Sequence, residues 1–323
     1  MERFDIAIIG GGGAGMTAAI YAARGRRSTV VFERLVTGGQ ISTTDAVENF
    51  PGFPDGINGF DLAQLFEQQA RKFGAEVRSE QVESIERRGG SFVLTTEEGQ
   101  YLARAVIVAG GADYNHLGVP GEQEFTGRGV SYCATCDGAF FRDQDVVVVG
   151  GGDAAIEESL FLARIVRSIT VVHRRDALRA SAILQERAFA EPRISFAWNT
   201  VVDAVEGGDT VKRVVLRDVQ TGETRTLETA AVFIFIGQTP NNALLDGLVQ
   251  LDAGGHAIVD LEMRTATPGL FVVGDLRTRS ARQLISAAGD GATAAIAAEH
   301  YLGELPRERL EAEASRIAGQ SSS

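Results

Sequence analysis

Cys133 and Cys136 are the only cysteines among 323 residues, and they share one Cys-Ala-Thr-Cys segment. Sulfur at that spacing can hold a metal, staple a turn or carry electrons. A zinc site takes about four ligands, and His116, His173, His256 and His300 form no second ligand pair at metal-binding spacing. A staple across so few residues closes a very small loop and constrains the unfolded chain little. A reducing compartment would also tend to open it. Electron transfer is the strongest of the three readings. Asp137 follows the pair at once. A carboxyl there can move protons to and from a thiolate, or it can serve as a turn residue before Gly138. Local sequence favours neither.

A redox pair needs a donor, and two Gly-rich turns offer sites for one. Gly10-Gly11-Gly12-Gly13-Ala14-Gly15 fits G-x-G-x-x-G. It follows an apolar strand, Phe4–Ile9, and opens a helix over Ala14–Arg24, the context that gives this motif its meaning. Gly10 permits the tight turn, Gly12 lets a pyrophosphate approach the backbone, and Gly15 lets helix and strand pack closely. The helix start supplies free N–H groups for the phosphates. The next strand, Thr29–Phe32, ends at Glu33, 18 residues after Gly15. A carboxylate there accepts hydrogen bonds from ribose hydroxyls and repels a 2′-phosphate, so this turn is expected to take FAD or NAD.

The second turn, Gly150-Gly151-Gly152-Asp153-Ala154-Ala155, is the G-x-G-x-x-A variant and begins 14 residues after Cys136. It lies between a strand at Asp145–Val149 and a helix over Ala154–Val166. The following strand, Ile169–Val172, ends in His173-Arg174-Arg175, with Arg179 one turn further on. No carboxylate stands at the ribose position, and arginine matches phosphate in charge and geometry. This site is expected to prefer NADPH, held by Gly150, Gly152, Asp153, Ala154, His173, Arg174, Arg175 and Arg179.

The remaining pattern fits an α/β fold. Asp61–Phe73 is amphipathic at helical spacing, and Ala105–Ala109 is a buried strand closed by glycines. Val211–Arg217 and Thr224–Glu228 flank a QTGE turn as a hairpin. Val232–Ile236 and Gly269–Val273 are further strands, and Gln283–Tyr301 is a long Ala-rich helix. Both halves run from a Gly-rich turn to an apolar strand ending in Gly, which reads as a duplication. The tail after Pro306 is charged and is expected to fray. The length suits two domains. A formal charge of −12 disfavours nucleic acid and anionic membranes as partners. No apolar run approaches the ~20 residues of a membrane span. The start, acidic and then a strand, lacks the pattern of a secretory signal, so a cytoplasmic protein is expected.

The runs GVSYCATCDG, GGGDAAIEE and HRRDALRAS resemble low-molecular-weight bacterial and archaeal thioredoxin reductase. So do GGQ at 38–40, VENFPGFP at 47–54 and GDLRTRSARQ at 274–283. The resemblance covers about Phe4 to Tyr301 in order. It implies two Rossmann-like dinucleotide-binding domains, with an NADPH domain (115–244, carrying the cysteines) inserted into an FAD domain (1–114 and 245–323), and a homodimer. By motif it assigns FAD contacts to Gly10, Gly12, Gly15, Glu33, Gly39, Gln40 and Asn49. Val82 lies near the adenine, Asp275 at the ribityl or phosphate region and Gln283 near the flavin. The implied mechanism passes a hydride from NADPH to FAD, then electrons to the disulfide through Cys136. Cys133 attacks the disulfide of a thioredoxin-like protein, Asp137 acts as acid and base, and one domain rotates against the other between steps. The chain departs from the commonest family pattern at Gly13, Gly110, Ala139 and Ala281. Ala139 bears on the partner-docking surface and Ala281 on the flavin's surroundings. Two other readings are a flavin disulfide reductase with another acceptor or donor, such as ferredoxin, and a nucleotide-binding redox sensor without turnover.

The arginine cluster makes a prediction. Steady-state titration with NADPH and NADH should give a clearly higher catalytic efficiency with NADPH, and equal efficiencies would contradict the 2′-phosphate assignment.

Overall fold

Strands form where β-branched and aromatic residues run together, and helices where Ala and Leu recur at helical spacing. A computed structural model of the chain describes residues 1–44 and 46–304, so the tail after Pro306 lies outside the described residues. In chain order the elements are β1 (Glu2–Ile9), α1 (Gly13–Arg24), β2 (Thr29–Phe32), α2 (Gly59–Lys72), β3 (Glu76–Arg78), β4 (Val82–Arg88), β5 (Ser91–Thr96) and β6 (Gly99–Val108). Next come β7 (Ala112–Tyr114), β8 (Val130–Ser131), α3 (Ala134–Asp137), β9 (Asp145–Val149), α4 (Asp153–Leu162), β10 (Ser168–Val172), α5 (Ala182–Ala190) and β11 (Ile194–Ala197). The chain continues with β12 (Thr200–Gly207), β13 (Val211–Asp218), β14 (Thr224–Glu228), β15 (Ala231–Ile234), β16 (Gln238–Pro240), β17 (Leu270–Val272) and α6 (Leu284–Glu304).

These elements divide into two units. Among the described residues, one comprises Met1–Asp113 and the chain from Thr239 to Glu304; the other is Tyr114–Gln238. The chain crosses between them through β7 and β16, which pair with each other. The second crossing comes earlier than the expected boundary at 244/245. The Asn241 N–H donates to the Gly111 carbonyl at 3.0 Å, and Leu245 is fully buried in the first unit's core with Leu244 against it.

In the first unit the order β3-β2-β1-β6 is parallel, and β17 lies parallel to β6. The early residues of β6 pair antiparallel with β5, and β5 with β4. The second unit repeats the plan, with a parallel β11-β10-β9-β15-β8 sheet and an antiparallel β12-β13-β14 sheet. The period-2 alternation of a strand buried on both faces is visible in each. Ile6 and Ile8 point into one core with α1 and α6, while Ala7 and Ile9 point into the other. Val146 and Val148 divide from Val147 and Val149 in the same way.

The expected hairpin is present as β13 and β14. The helix expected over Ala154–Val166 ends at Leu162, where the chain passes into turns closed by Arg164 N–H to Phe161 and Ile165 N–H to Leu162. The strands β4, β5 and β12 and the helix α5 lie where no element was expected.

Glycine decides how α1 and α6 cross. A Cβ on Gly291 would lie 2.0 Å from the Ala14 carbonyl oxygen, whereas one on Gly289 would meet nothing within 4 Å. Gly291→Ala should therefore lower the first unit's stability by ~2 kcal/mol or more, the usual scale of overpacking. Gly289→Ala should be neutral or raise it by up to ~1 kcal/mol through helix propensity. Urea unfolding of the two variants checks this, and equal midpoints would contradict the crossing.

Candidate active site and nucleotide-binding turns

At the first Gly-rich turn the backbone folds onto itself. Gly10 sits at φ +103, and a Cβ on Gly15 would lie 1.9 Å from the Gly10 oxygen. Gly12, in contrast, has only the Gly38 oxygen at 3.9 Å beside it, so its face is open to a ligand. Glu33 closes the turn: Oε2 accepts from the Gly11 N–H at 2.7 Å and Oε1 from the Leu35 N–H at 3.0 Å. A carboxylate has about four acceptor positions, so the carboxylate keeps capacity for the two hydroxyls of a ribose.

Other predicted residues gather at the same end of α1. The Gly38 N–H donates to the Gly11 carbonyl at 2.8 Å, which sets Gly39 and Gln40 beside the turn. Gln40 Nε2 donates to the Ala112 carbonyl. The Asn49 and Gln283 side chains, 234 positions apart, meet at 3.2 Å. A Cβ on Gly13 would meet Leu284 at 2.3 Å, so α6 starts against the Gly-rich turn. A Cβ on Gly274 would meet Ala14 at 3.3 Å, which brings Asp275 to the same place. The Asp275 Oδ1 accepts from the Ser280 hydroxyl at 2.7 Å. Val82 differs: the residue is 5% exposed and packs in the core. The open Gly12 face, the spare capacity of Glu33 and the helix start fit a dinucleotide with a free ribose diol.

The second turn repeats this geometry with one exchange. A Cβ on Gly150 would meet the Phe235 oxygen at 2.5 Å, while Gly152 has nothing within 4 Å. Ala155 replaces the third glycine and is fully buried without conflict. Asp153 and Ala154 open α4 at the surface. The Asp153 Oδ1 accepts from the Ser181 N–H at 2.6 Å, and the Gly151 oxygen accepts from the Arg179 N–H at 2.7 Å. Arg174, Arg175 and Arg179 are exposed, and among the described residues no carboxylate pairs with them. His173 is placed apart from the arginines, at 5% exposure beneath Gly151, where its ring would collide with any Cβ on that residue. Burial, together with Arg179, Arg175 and Arg174, pushes its imidazole below the ordinary range. Its Nε2 is buried without a partner. Three exposed guanidiniums beyond the end of β10 fit a 2′-phosphate.

The cysteines form a disulfide, Cys133–Cys136, around the single turn of α3. Ser131 organises it: its hydroxyl accepts from the Cys133 N–H at 3.1 Å and donates to the Cys133 carbonyl at 3.2 Å. The Cys136 N–H points at Cys133 Sγ, at 3.1 Å. Burial pushes the Asp137 carboxyl above the ordinary aspartate range, and a hydrogen bond with Ser131 offsets this only in part. Tyr132, the residue before Cys133, donates to Glu122 at 2.8 Å and stacks on Tyr114. Burial works to raise the Glu122 carboxyl. The N–H groups of Leu117, Gly118 and Val119 and the Tyr132 hydroxyl together hold it below its usual range. Ser131 and Glu122 were not anticipated, since one serine and one glutamate carry no motif; only the proximity of Ser131 to Cys133 hinted at it. Among the described residues no group of His, Cys, Asp and Glu is placed to hold a metal.

The family model for pyridine nucleotide-disulphide oxidoreductases matches residues 4–292. The thioredoxin reductase of Treponema pallidum is 48% identical over 302 residues, 94% of this chain and 98% of that protein. The bifunctional thioredoxin reductase/thioredoxin of Mycobacterium leprae is 49% identical, over 93% of this chain and 66% of its own length. The crystal structure of thioredoxin reductase from Streptococcus pyogenes superposes with a TM-score of 0.91 at 46% identity, covering 94% of this chain and 99% of that one. Similarity that runs through both units and along most of this chain leaves one assignment: the protein belongs to the pyridine nucleotide-disulphide oxidoreductase family.

Proposed function

We propose that this chain is an NADPH-dependent flavoprotein that reduces the disulfide of thioredoxin. The observation that carries the reading is the Cys133–Cys136 bridge beside a carboxyl that burial pushes above the ordinary aspartate range, in the unit with the exposed arginines. The Treponema pallidum relative bears the same activity in its name, and the Mycobacterium leprae relative joins a thioredoxin to it. FAD is assigned to the first unit, on Gly10, Gly12, Gly15, Glu33, Gly39, Gln40, Asn49, Asp275 and Gln283, with the Val82 backbone near the adenine. NADPH is assigned to the second, on Gly150, Gly152, Asp153 and Ala154, with Arg174, Arg175 and Arg179 at its 2′-phosphate and His173 supporting the turn from below. The family resemblance supports a cytoplasmic homodimer, and no described helix is long and apolar enough to cross a membrane.

Bound FAD supplies two-electron chemistry, accepting a hydride from NADPH and reducing the disulfide. The chain's own residues govern the thiol chemistry. Once the bridge opens, Cys133 Sγ keeps the Cys136 N–H as a donor, which favours its thiolate and makes it the attacking sulfur. Cys133 then forms a bond to one sulfur of the partner disulfide as the partner's S–S bond breaks. Cys136 displaces the partner from that mixed disulfide and restores the bridge. Asp137, raised by burial, delivers a proton to the departing thiolate.

Mixing the protein with FAD, NADPH and oxidised thioredoxin from the same host should give rapid NADPH oxidation matched by thioredoxin reduction. Flavin reduction without thioredoxin turnover would contradict the acceptor, and an unreduced flavin would contradict the donor. Cys133→Ser should leave a Cys136 thiolate against oxidised flavin and show long-wavelength charge-transfer absorption, which Cys136→Ser should lack. The reverse pattern would exchange the roles of the sulfurs.

The sign of the Asp137 shift gives a pH dependence. A raised carboxyl stays protonated to higher pH, and its acid function fades as pH climbs through that raised value. The kcat/KM for thioredoxin should carry a descending limb from this ionisation, above the ordinary aspartate range. Asp137→Asn should abolish that limb and cost on the order of 100-fold in rate; an unchanged profile would contradict the role.

A further inference from the structure

Gly274–Gln283 carries two of the proposed FAD contacts, Asp275 and Gln283, yet little regular structure holds it. A 3-10 turn covers Gly274–Leu276, and the segment then runs as loop to the start of α6. Two anchors fix its first half. On one side Arg277 bridges to Ala257, with the Ala257 N–H donating to Leu276 and the Thr278 N–H to Ala257, both at 2.9 Å. On the other side the Arg277 side chain reaches α6. Its Nε donates to Asp290 Oδ2 at 2.6 Å and its Nη2 to Oδ1 at 2.8 Å, a two-pronged pair. Nη1 is spent on the Thr278 carbonyl at 3.0 Å. Asp290 Oδ2 also accepts the Gly274 N–H at 3.1 Å.

The pair is well shielded, with side-chain exposures of 16% for Arg277 and 8% for Asp290. Asp290 is buried, Arg277 is largely so, and both carboxylate oxygens are engaged. The position of Asp290 is fixed from outside the loop. Its neighbour Gly291 packs on Ala14 so closely that a Cβ would lie 2.0 Å from the Ala14 oxygen. Ala14 is the residue within the Gly-rich turn that Gly274 also approaches. One rigid path therefore runs from the Gly-rich turn through Ala14 and Gly291 to Asp290, and through Arg277 to the loop.

We propose that Asp290 and Arg277 are positioning residues for FAD: their buried ion pair holds the 274–283 loop in register with the Gly-rich turn, so that Asp275 and Gln283 face the cofactor together. This rests on the assignment of FAD to the first unit. A buried pair seldom adds net stability over a neutral replacement, whereas losing one partner strands a charge. Fold stability and loop positioning can thus be separated by experiment.

The test uses full-length apoprotein, with FAD affinity read from quenching of flavin fluorescence and stability from the melting midpoint without FAD. Arg277→Met alone should lower the midpoint, because Asp290 is left buried and unpaired. Arg277→Met combined with Asp290→Asn removes the stranded charge and keeps an acceptor for the Gly274 N–H. The double variant should regain the wild-type midpoint yet bind FAD about tenfold more weakly, or worse. Recovery of both properties would overturn the proposal, because the pair would then be merely structural. Should the double variant not fold, Arg277→Lys keeps the charge and loses the fork. It should show weakened FAD binding, and wild-type binding by it would overturn the proposal. Wild-type apoprotein that takes up no FAD would instead refute the assignment of FAD to this unit, a result distinct from equal binding by wild type and variants.

Discussion

A side chain on Gly15 would place its Cβ 1.9 Å from the Gly10 carbonyl oxygen. Helix α1 can therefore lie against β1 only while that position is bare. The rest of the first unit's site depends on this contact. The N–H groups at the start of α1 face an open Gly12, and Glu33 folds back onto Gly11. Gly13 and Ala14 present a surface so small that α6 and the Gly274 segment press directly on it. The second unit accommodates Ala155 at the third position; the contact the two turns share is at the first glycine, where a Cβ would lie 2.4 Å from the Ala109 oxygen at Gly10 and 2.5 Å from the Phe235 oxygen at Gly150. One steric constraint, met twice, produces two nucleotide turns in one chain.

The units differ in charge where their second strands end. Glu33 accepts N–H groups at the end of β2, whereas Arg174, Arg175 and Arg179 stand exposed beyond β10. A carboxylate at the first position repels a 2′-phosphate and a cationic cluster at the second attracts one. The fold is shared, and the charges at the strand ends differ. The disulfide belongs to the unit with the arginine cluster, held by Ser131 and followed by a carboxyl that burial pushes above the ordinary aspartate range.

The parts of this arrangement that repeat in sequence were legible there. Gly-rich turns between an apolar strand and a helix, a Cys-x-x-Cys segment and a change of charge after the second strand are local patterns. The parallel sheets followed from them. Contacts between distant positions were not legible. Asn49 meets Gln283, and Arg277 meets Asp290, through the return of α6 to the Gly-rich turn. No local spacing encodes that return. The strand β4 was missed because its buried residues Val82 and Ile85 stand three apart across a register shift, among the charged Glu83, Glu86 and Arg87, while β5 carries no charge and is buried along most of its length, so it shows no clean alternation. His173 reads as part of a basic run in sequence, yet the backbone turns it under Gly151 while its arginine neighbours stay at the surface.

The central claim is that the Cys133–Cys136 bridge lies in series with a flavin and NADPH. Anaerobic titration of the FAD-loaded protein with NADPH, followed by flavin absorbance and thiol counting, tests it most directly. The account predicts uptake of roughly two equivalents of NADPH per chain, one reducing the flavin and one opening the disulfide, with two free thiols at the end. Complete flavin reduction after roughly one equivalent, with the disulfide intact, would contradict it.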